Sequence, residues 1–368
     1  MARDTANRLR TSALQLFADR WYEVVSIAEV CRSAGVSNGT FYRYFSSKEE
    51  LFFSLLEDFL VRFGRDLDSV DGATLAERLR RFVLVVAGAA RRYAGEVAVF
   101  REGQYRFPRF EERLRDLYVR TVERVYGRSI SEVEYVYLVS GLRFIATRSL
   151  LHDLEIDDDL LVRILLEGVF APTAEALELE PPTTPDDRVA DSPREAMLAG
   201  AVDLIAEKRF YAVQVVDIAR AAGYSVGTFY NTFAGKEEFF AELVREIGQQ
   251  TRHHLTAQLR PDRSRWLQEV EGMWHFLRYF GSRPTYYEIV REAEFVVPGS
   301  VRDYYDAFEH GYVARLTGFP PPQRPLVANF LMGLSHYLGI EVLLQKSVPD
   351  ARQAVEAIGV LLTTGVPA

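Results

Sequence analysis

Ser37-Asn38-Gly39-Thr40-Phe41-Tyr42-Arg43-Tyr44-Phe45 occurs a second time in this chain, as Ser225-Val226-Gly227-Thr228-Phe229-Tyr230-Asn231-Thr232-Phe233. The copies lie 188 residues apart in a chain of 368. The register holds without a gap from Ala13 and Ala201 to Phe52 and Phe240. A shared Ser-x-Gly-Thr-Phe-Tyr-x-x-Phe, followed in both copies by Lys-Glu-Glu, is too specific to recur by chance. The period is far longer than that of a solenoid unit, so the repeated object is a pair of domains.

Outward from the first copy, residues 8–20 place Leu9, Ala13, Leu16 and Phe17 at helical spacing with one apolar face. Ser26 to Ala34 is a short second helix, with Ile27, Val30 and Cys31 inward. Gly35 suits its end, because glycine tolerates a left-handed backbone, and Ser37 suits the start of the next helix, because its hydroxyl caps free N–H groups. Helix, glycine turn and capped helix make a helix-turn-helix. Ser47-Lys48-Glu49-Glu50 reads as a capping box opening a fourth helix. The second half replays this order through Ala201 to Ala206, Val215 to Ala222, Gly223, Ser225 and Lys236. Helical patterns continue over Leu75 to Arg92, Glu112 to Tyr126, Ser131 to Leu151 and Asp158 to Phe170, and no run alternates as a strand does. Later, Arg291-Glu292 echoes Arg101-Glu102, and Gly333 answers Gly141, so the repeat extends through the whole half. The expected fold is all-α. Its expected parts are a helix-turn-helix head at 1–55, a helical body at 56–176, a proline-rich acidic linker at 177–192, a second head at 193–243 and a second body at 244–368. Ser192 and Pro193 are the cap and first turn of the helix after the linker.

These heads resemble the tetracycline-repressor (TetR) family. The pattern is an apolar first helix, Ile-Ala-x-x-Ala-Gly-Val-Ser, then Gly-Thr-x-Tyr-x-x-Phe-x-x-Lys-Glu. It covers residues 8–55 and 196–243. Both copies depart from it before the aromatic that ends helix one, where Trp21-Tyr22 and Arg209-Phe210 replace the usual glycine-aromatic pair. The resemblance implies two family-type subunits fused as a covalent pseudo-dimer. Each would have a DNA-binding head and a ligand-binding body, and further self-association of chains remains open.

A recognition helix must approach DNA closely, and Gly39 and Gly227 keep no side chain in the way. Ser37, Thr40 and Tyr42, with Ser225, Thr228 and Tyr230, offer hydroxyls to phosphate. Lys48 and Lys236 resemble the family's phosphate-contacting lysine. Base reading falls to positions that differ between copies: Asn38 against Val226, Arg43 against Asn231, Tyr44 against Thr232. Arginine suits guanine and asparagine suits adenine. The expected operator is therefore bipartite and non-palindromic, read on double-stranded DNA. In the bodies, Phe100, Tyr105, Phe107, Trp274, Tyr279, Tyr287, Phe295 and Tyr305 are candidate walls for a small apolar effector. For each of these residues, simple core packing is the competing reading.

Net charge is −8, which excludes a generally basic coat for nucleic acid but not a small DNA-reading surface. Arg3, Arg8, Arg10, Arg32, Arg43 and Lys48 gather near the first copy. The single cysteine, Cys31, stands where the second copy has Ala219 and reads as a small buried group. No phosphate-cradling loop, nucleophile elbow or metal-ligand cluster is written in the chain, so neither an enzyme, a cofactor nor a metal is expected. His253 and His254 are adjacent and point to different helix faces. No apolar run is long enough for a membrane span and no signal peptide is evident, so the expected location is cytoplasmic. The competing function is a helical protein-interaction scaffold with one or both heads degenerate.

Overall fold

The computed structural model describes residues 2–150, 152, 154–179 and 190–368. Of the expected linker 177–192, residues 180–189 lie outside the described residues. Among the described residues there is no strand, and the two sequence halves contribute the same series of helices. The first half has α1 (Ala2–Asp19), α2 (Ile27–Ala34), α3 (Asn38–Phe41), α4 (Lys48–Asp68), α5 (Leu75–Arg92), α6 (Ala94–Arg106), α7 (Pro108–Tyr126), α8 (Glu132–Arg148) and α9 (Asp158–Glu167). The second has α10 (Pro193–Ala212), α11 (Val215–Ala221), α12 (Val226–Thr232), α13 (Lys236–Ala257), α14 (Arg265–Ser282), α15 (Pro284–Val296), α16 (Pro298–Arg315), α17 (Arg324–Gly339) and α18 (Ala351–Thr364).

Local chemistry sets the head boundaries. Ser26 and Glu29 form a reciprocal capping box at α2. Gly35 and Gly223 follow α2 and α11 with φ of 63° and 77°, the left-handed turn that aims the next helix. Ser37 Oγ accepts from Thr40 N–H at 3.2 Å, and Ser225 Oγ accepts from Thr228 N–H at 3.1 Å. Phe41 and Phe229 then insert fully buried, with Phe52 and Phe240 in the same two cores. Each such ring stabilises the head by roughly 1.5–3 kcal/mol. Cys31 is buried too, and desolvation pushes its thiol up.

Two expectations need correction. The box at Ser47 is only half formed. Ser47 Oγ accepts from Glu50 N–H at 3.0 Å, but the Glu50 carboxylate reaches one residue further back, to Ser46 N–H at 2.6 Å. In the second copy Gly235 replaces the serine, and no side chain caps α13. The two recognition helices also differ. After Phe41 the first tightens to three-residue spacing, with Arg43 N–H on Thr40 O and Tyr44 N–H on Phe41 O. The second stays α-helical to Thr232, whose hydroxyl bonds back to Thr228 O at 2.9 Å.

The missing glycine has different consequences in the two copies. Trp21 adopts an ordinary extended conformation. Arg209 keeps φ 66° and ψ 149°, a region almost reserved for glycine, at a cost of about 1–3 kcal/mol. Arg209→Gly is therefore expected to raise stability by about 1 kcal/mol, after the added freedom of the unfolded chain is subtracted. Trp21→Gly should destabilise. Denaturant unfolding of both variants checks this, and an Arg209→Gly chain no more stable than wild type would refute the strain.

By contacts the chain forms two compact units. The first comprises residues 1–130 and 145–162; the second comprises residues 131–144 and 163–367. The first unit has an aromatic interior, where Phe59 and Phe63 stack at 5.5 Å and Phe100 sits 4.6 Å from Phe59. The second unit's core includes pieces of the first half's sequence. Tyr137 meets Phe330 edge-on at 5.8 Å, and its hydroxyl donates to Ile164 O at 2.8 Å. Leu362 O accepts from Val169 and Phe170 N–H at 2.7 and 2.9 Å. Gly141 and Gly333 mark the close crossing of α8 on α17: a Cβ on Gly333 would lie 2.9 Å from Gly141 Cα. One helical run, Pro321–Gln345, is apolar and long enough to cross a membrane by composition, but 78% of its most apolar window is buried in the protein, as in a core helix.

Candidate nucleic-acid interface

The two recognition helices turn matching faces to solvent. Ser37, Asn38, Gly39, Tyr42 and Arg43 are exposed in the first head, and Ser225, Val226, Gly227, Tyr230 and Asn231 in the second. Thr40, Tyr44, Thr228 and Thr232 are half-buried at the edges of these faces. Tyr42 is 59% exposed and Tyr230 57%, so neither ring serves as core. Phe41, Phe45, Phe229 and Phe233 are buried behind them. Nothing inside the protein requires the two glycines. A Cβ at Gly39 would meet nothing closer than Ser37 Oγ at 3.9 Å, and one at Gly227 only Ser225 Oγ at 3.6 Å.

The basic residues near the first copy divide. Arg8 donates to Ala34 O and Gly35 O and so supports the turn. Arg10 pairs with Asp58 at 3.3 Å. Arg32 and Arg43 are exposed and make no ion pair among the described residues. Residues 1–55 carry seven lysines and arginines against six carboxylates, and residues 193–243 carry five against seven. The first head is thus the better matched to a phosphate backbone.

Lys48 and Lys236 face inward. Lys48 Nζ donates to Tyr22 O and Val25 O at 2.8 and 2.9 Å. Lys236 Nζ donates to Phe210 O and Val213 O at 3.0 and 2.9 Å, with Tyr211 O at 3.4 Å. Burial pulls both ammonium groups below the usual lysine range. The same turns are held from the other side by a carboxylate. Glu102 accepts from Tyr22 N–H at 3.0 Å on both oxygens, and Glu292 accepts from Phe210 N–H at 3.0 and 3.2 Å. Both glutamates are buried, 2% and 3% exposed. Burial pushes the Glu102 carboxyl up, against the pull of Arg106 at 2.8 Å. In each half, then, a lysine takes the carbonyls of the head's turn while a glutamate from the body takes its N–H. The repeated Arg-Glu pair was the sequence signal for this clamp, yet a charged pair on a helix reads first as solvated.

The second unit holds a cavity of about 190 Å³ walled by α13 to α17 and by Phe144 of α8. Of the expected wall residues, Tyr287 and Tyr305 line it; Trp274, Tyr279 and Phe295 do not. Tyr279 packs instead against His254, at 4.8 Å between ring centres. In the first unit Phe100 belongs to the aromatic interior, Phe107 packs on Phe53 at 4.6 Å, and Tyr105 is half-buried. Sequence reasoning missed Phe144, Arg252 and Arg265 in the cavity wall. Phe144 is distant in sequence, and the two arginines read as surface charge on amphipathic helices. Tyr287, Val290 and Arg291 of α15 face the cavity, while the next residue, Glu292, holds the head. One short helix therefore touches both.

Comparison with known proteins agrees with this anatomy. The family model for bacterial regulatory proteins, tetR family, matches residues 9–55 and again 197–243. The HTH-type transcriptional repressor KstR2 of Mycobacterium tuberculosis is 29% identical over 140 residues, 34% of this chain and 70% of that protein. The HTH-type transcriptional regulator YxbF of Bacillus subtilis is 23% identical over 342 residues, 89% of this chain and 88% of that one. A solved structure of the fatty acid degradation regulator FadR from Bacillus halodurans aligns with 49% of this chain and 98% of its own, at 15% identity and a TM-score of 0.41. With the family's head matched twice at the positions of both helix-turn-helix units, the chain belongs to the TetR family and is a DNA-binding transcriptional regulator of two tandem units.

Proposed function

We propose that this regulator is a ligand-responsive repressor that reads a bipartite, non-palindromic operator as a covalent pseudo-dimer in the cytoplasm. The observation that carries the reading is the pair of exposed faces, Ser-x-Gly-Thr-x-Tyr in both heads, with glycines that the interior does not need. Hydroxyls and helix N-termini there position the heads on phosphate. Lys48 and Lys236 add to this from the starts of α4 and α13, mainly by pinning the turns. Arg43 and Asn38 read bases in one half-site, Asn231 in the other, with Tyr44 and Thr232 at the edges. The KstR2 relative is a repressor, and repression is the sign proposed here.

Fusion changes the energetics of binding. The second head reaches its half-site at the effective concentration set by the tether, so DNA affinity does not fall with dimer dissociation. The crossing of α8 on α17 supports an intrachain pseudo-dimer, since sequence from both halves meets there. An effector in the second unit's cavity acts on its head through α15 and Glu292. It shifts the population only as far as it binds the DNA-incompetent arrangement more tightly.

Selection of duplex DNA from a random library by the whole chain, at one stated moderate salt, tests the reading. The expected result is a bipartite site with two different halves. A perfectly palindromic site would remove the two-reader assignment. Salt-sensitive binding without sequence enrichment would remove the regulator reading of these faces in favour of the interaction scaffold.

A further inference from the structure

The second unit's cavity has an ionic feature that an apolar effector leaves unused. Arg252 of α13 lines it, half-buried, its guanidinium 5.6 Å from the centre of the Phe308 ring. No carboxylate pairs with it among the described residues, and the Tyr304 phenol beside it favours its charged form. Desolvation holds this guanidinium below its usual range. A half-buried cation without a counter-charge is costly unless something else supplies the charge.

The rest of the wall does not neutralise it. Arg265 is already paired with Glu269 at 2.7 Å, and Glu269 also accepts from the Tyr312 hydroxyl at 2.9 Å. Glu269 is the one carboxylate among the residues that line the cavity, against four arginines there: Arg252, Arg265, Arg291 and Arg315. Two observations therefore point the same way: a cation with no carboxylate paired to it, and a largely apolar wall that carries more arginines than carboxylates.

We propose that this cavity binds a small organic acid, its carboxylate on Arg252. The apolar part lies against Phe276, Tyr287, Phe308 and Met332. Size sets the scale of that part. A dry cavity of about 150 Å³ takes a benzene ring, so about 190 Å³ suits one ring or a chain of similar bulk with its carboxylate. The proposal rests on reading this cavity as the effector site only for its regulatory consequence, not for the binding itself.

The test uses the whole chain without DNA. Benzoate and octanoate are titrated calorimetrically at neutral pH beside their uncharged counterparts, benzamide and octanol. At least one acid should bind about tenfold or more tighter than its counterpart, as a charge-assisted hydrogen bond to a guanidinium requires. Arg252→Gln should erase that preference and leave the uncharged partner unchanged; Arg252→Lys should keep part of it. Circular dichroism verifies that the variants fold, and the acid-against-amide comparison on the unaltered chain needs no variant at all. Equal binding of acid and uncharged partner overturns the proposal. So does an Arg252→Gln chain with undiminished acid preference, or failure of both acids to bind. Operator binding is then measured with and without the acid. An acid that binds but leaves DNA affinity unchanged keeps this site and removes the effector reading. Failure of both acids in a chain that still selects an operator removes this site and leaves the regulator.

Discussion

Gly333→Ala is expected to destabilise the second unit by about 1–3 kcal/mol, against the usual direction for this exchange. In an open helix, alanine for glycine gains roughly 1 kcal/mol of helix propensity. At Gly333 the new Cβ would lie 2.6 Å from Phe144 Cβ, 2.9 Å from Gly141 Cα and 3.0 Å from Ser140 O. These neighbours are backbone atoms and a Cβ, which cannot rotate away, so α8 and α17 must separate. The separation loosens the surrounding contacts, including the fully buried Tyr137 and Phe330. Gly141→Ala should behave alike, with its Cβ driven into the Phe330 ring. Gly88→Ala in α5 is the control: nothing lies within 4 Å of its Cβ position, and stability should rise. Thermal unfolding reads all three, at about 2–4 °C per kcal/mol for a unit of this size. A Gly333→Ala chain as stable as wild type would show that the crossing is not close.

The second large effect is on DNA. Arg43→Ala should cost about 1–3 kcal/mol of specific affinity and relax base preference in one half-site only. The test is clean, because Arg43 is exposed and makes no ion pair among the described residues, so its removal disturbs no packing. Asn231→Ala in the other head should relax the opposite half-site by a smaller amount, since the second head carries less positive charge. Competition binding against operators altered one half at a time, at fixed salt, separates the two. If Arg43→Ala weakens all sequences equally, Arg43 is a phosphate contact and the bases are read by others.

The heads were legible because their information is local. Ser26, Gly35 and Ser37 each fix one boundary within a few residues of themselves, and the structure puts the α2 cap, the turn and the α3 cap there. Where the sequence reading of the heads slipped, long side chains had a choice of partners. Glu50 could reach Ser47 or Ser46 with little difference in length, and it took Ser46. Lys48 and Lys236 could extend to solvent or fold onto carbonyls of the turn after helix one, and they took the carbonyls. Arg209 shows the opposite limit: a residue type unsuited to its backbone holds that conformation because the turn around it is clamped by Glu292 and Lys236.

The sequence by itself determined the duplication, the all-α class, both helix-turn-helix units and the residues that differ between them. Each of these is a matter of spacing, caps and register within a short stretch of chain. The tertiary structure alone decided that Glu102 and Glu292 are buried clamps, that Phe144 of the first half walls a cavity in the second, and that Arg252 lines that cavity with no carboxylate paired to it among the described residues. The physical reason is that an amphipathic pattern tells which face of a helix is buried but not which helix it is buried against. Whether a charged side chain on the border of that face meets water, a backbone N–H or a chamber is set by packing between segments far apart in sequence.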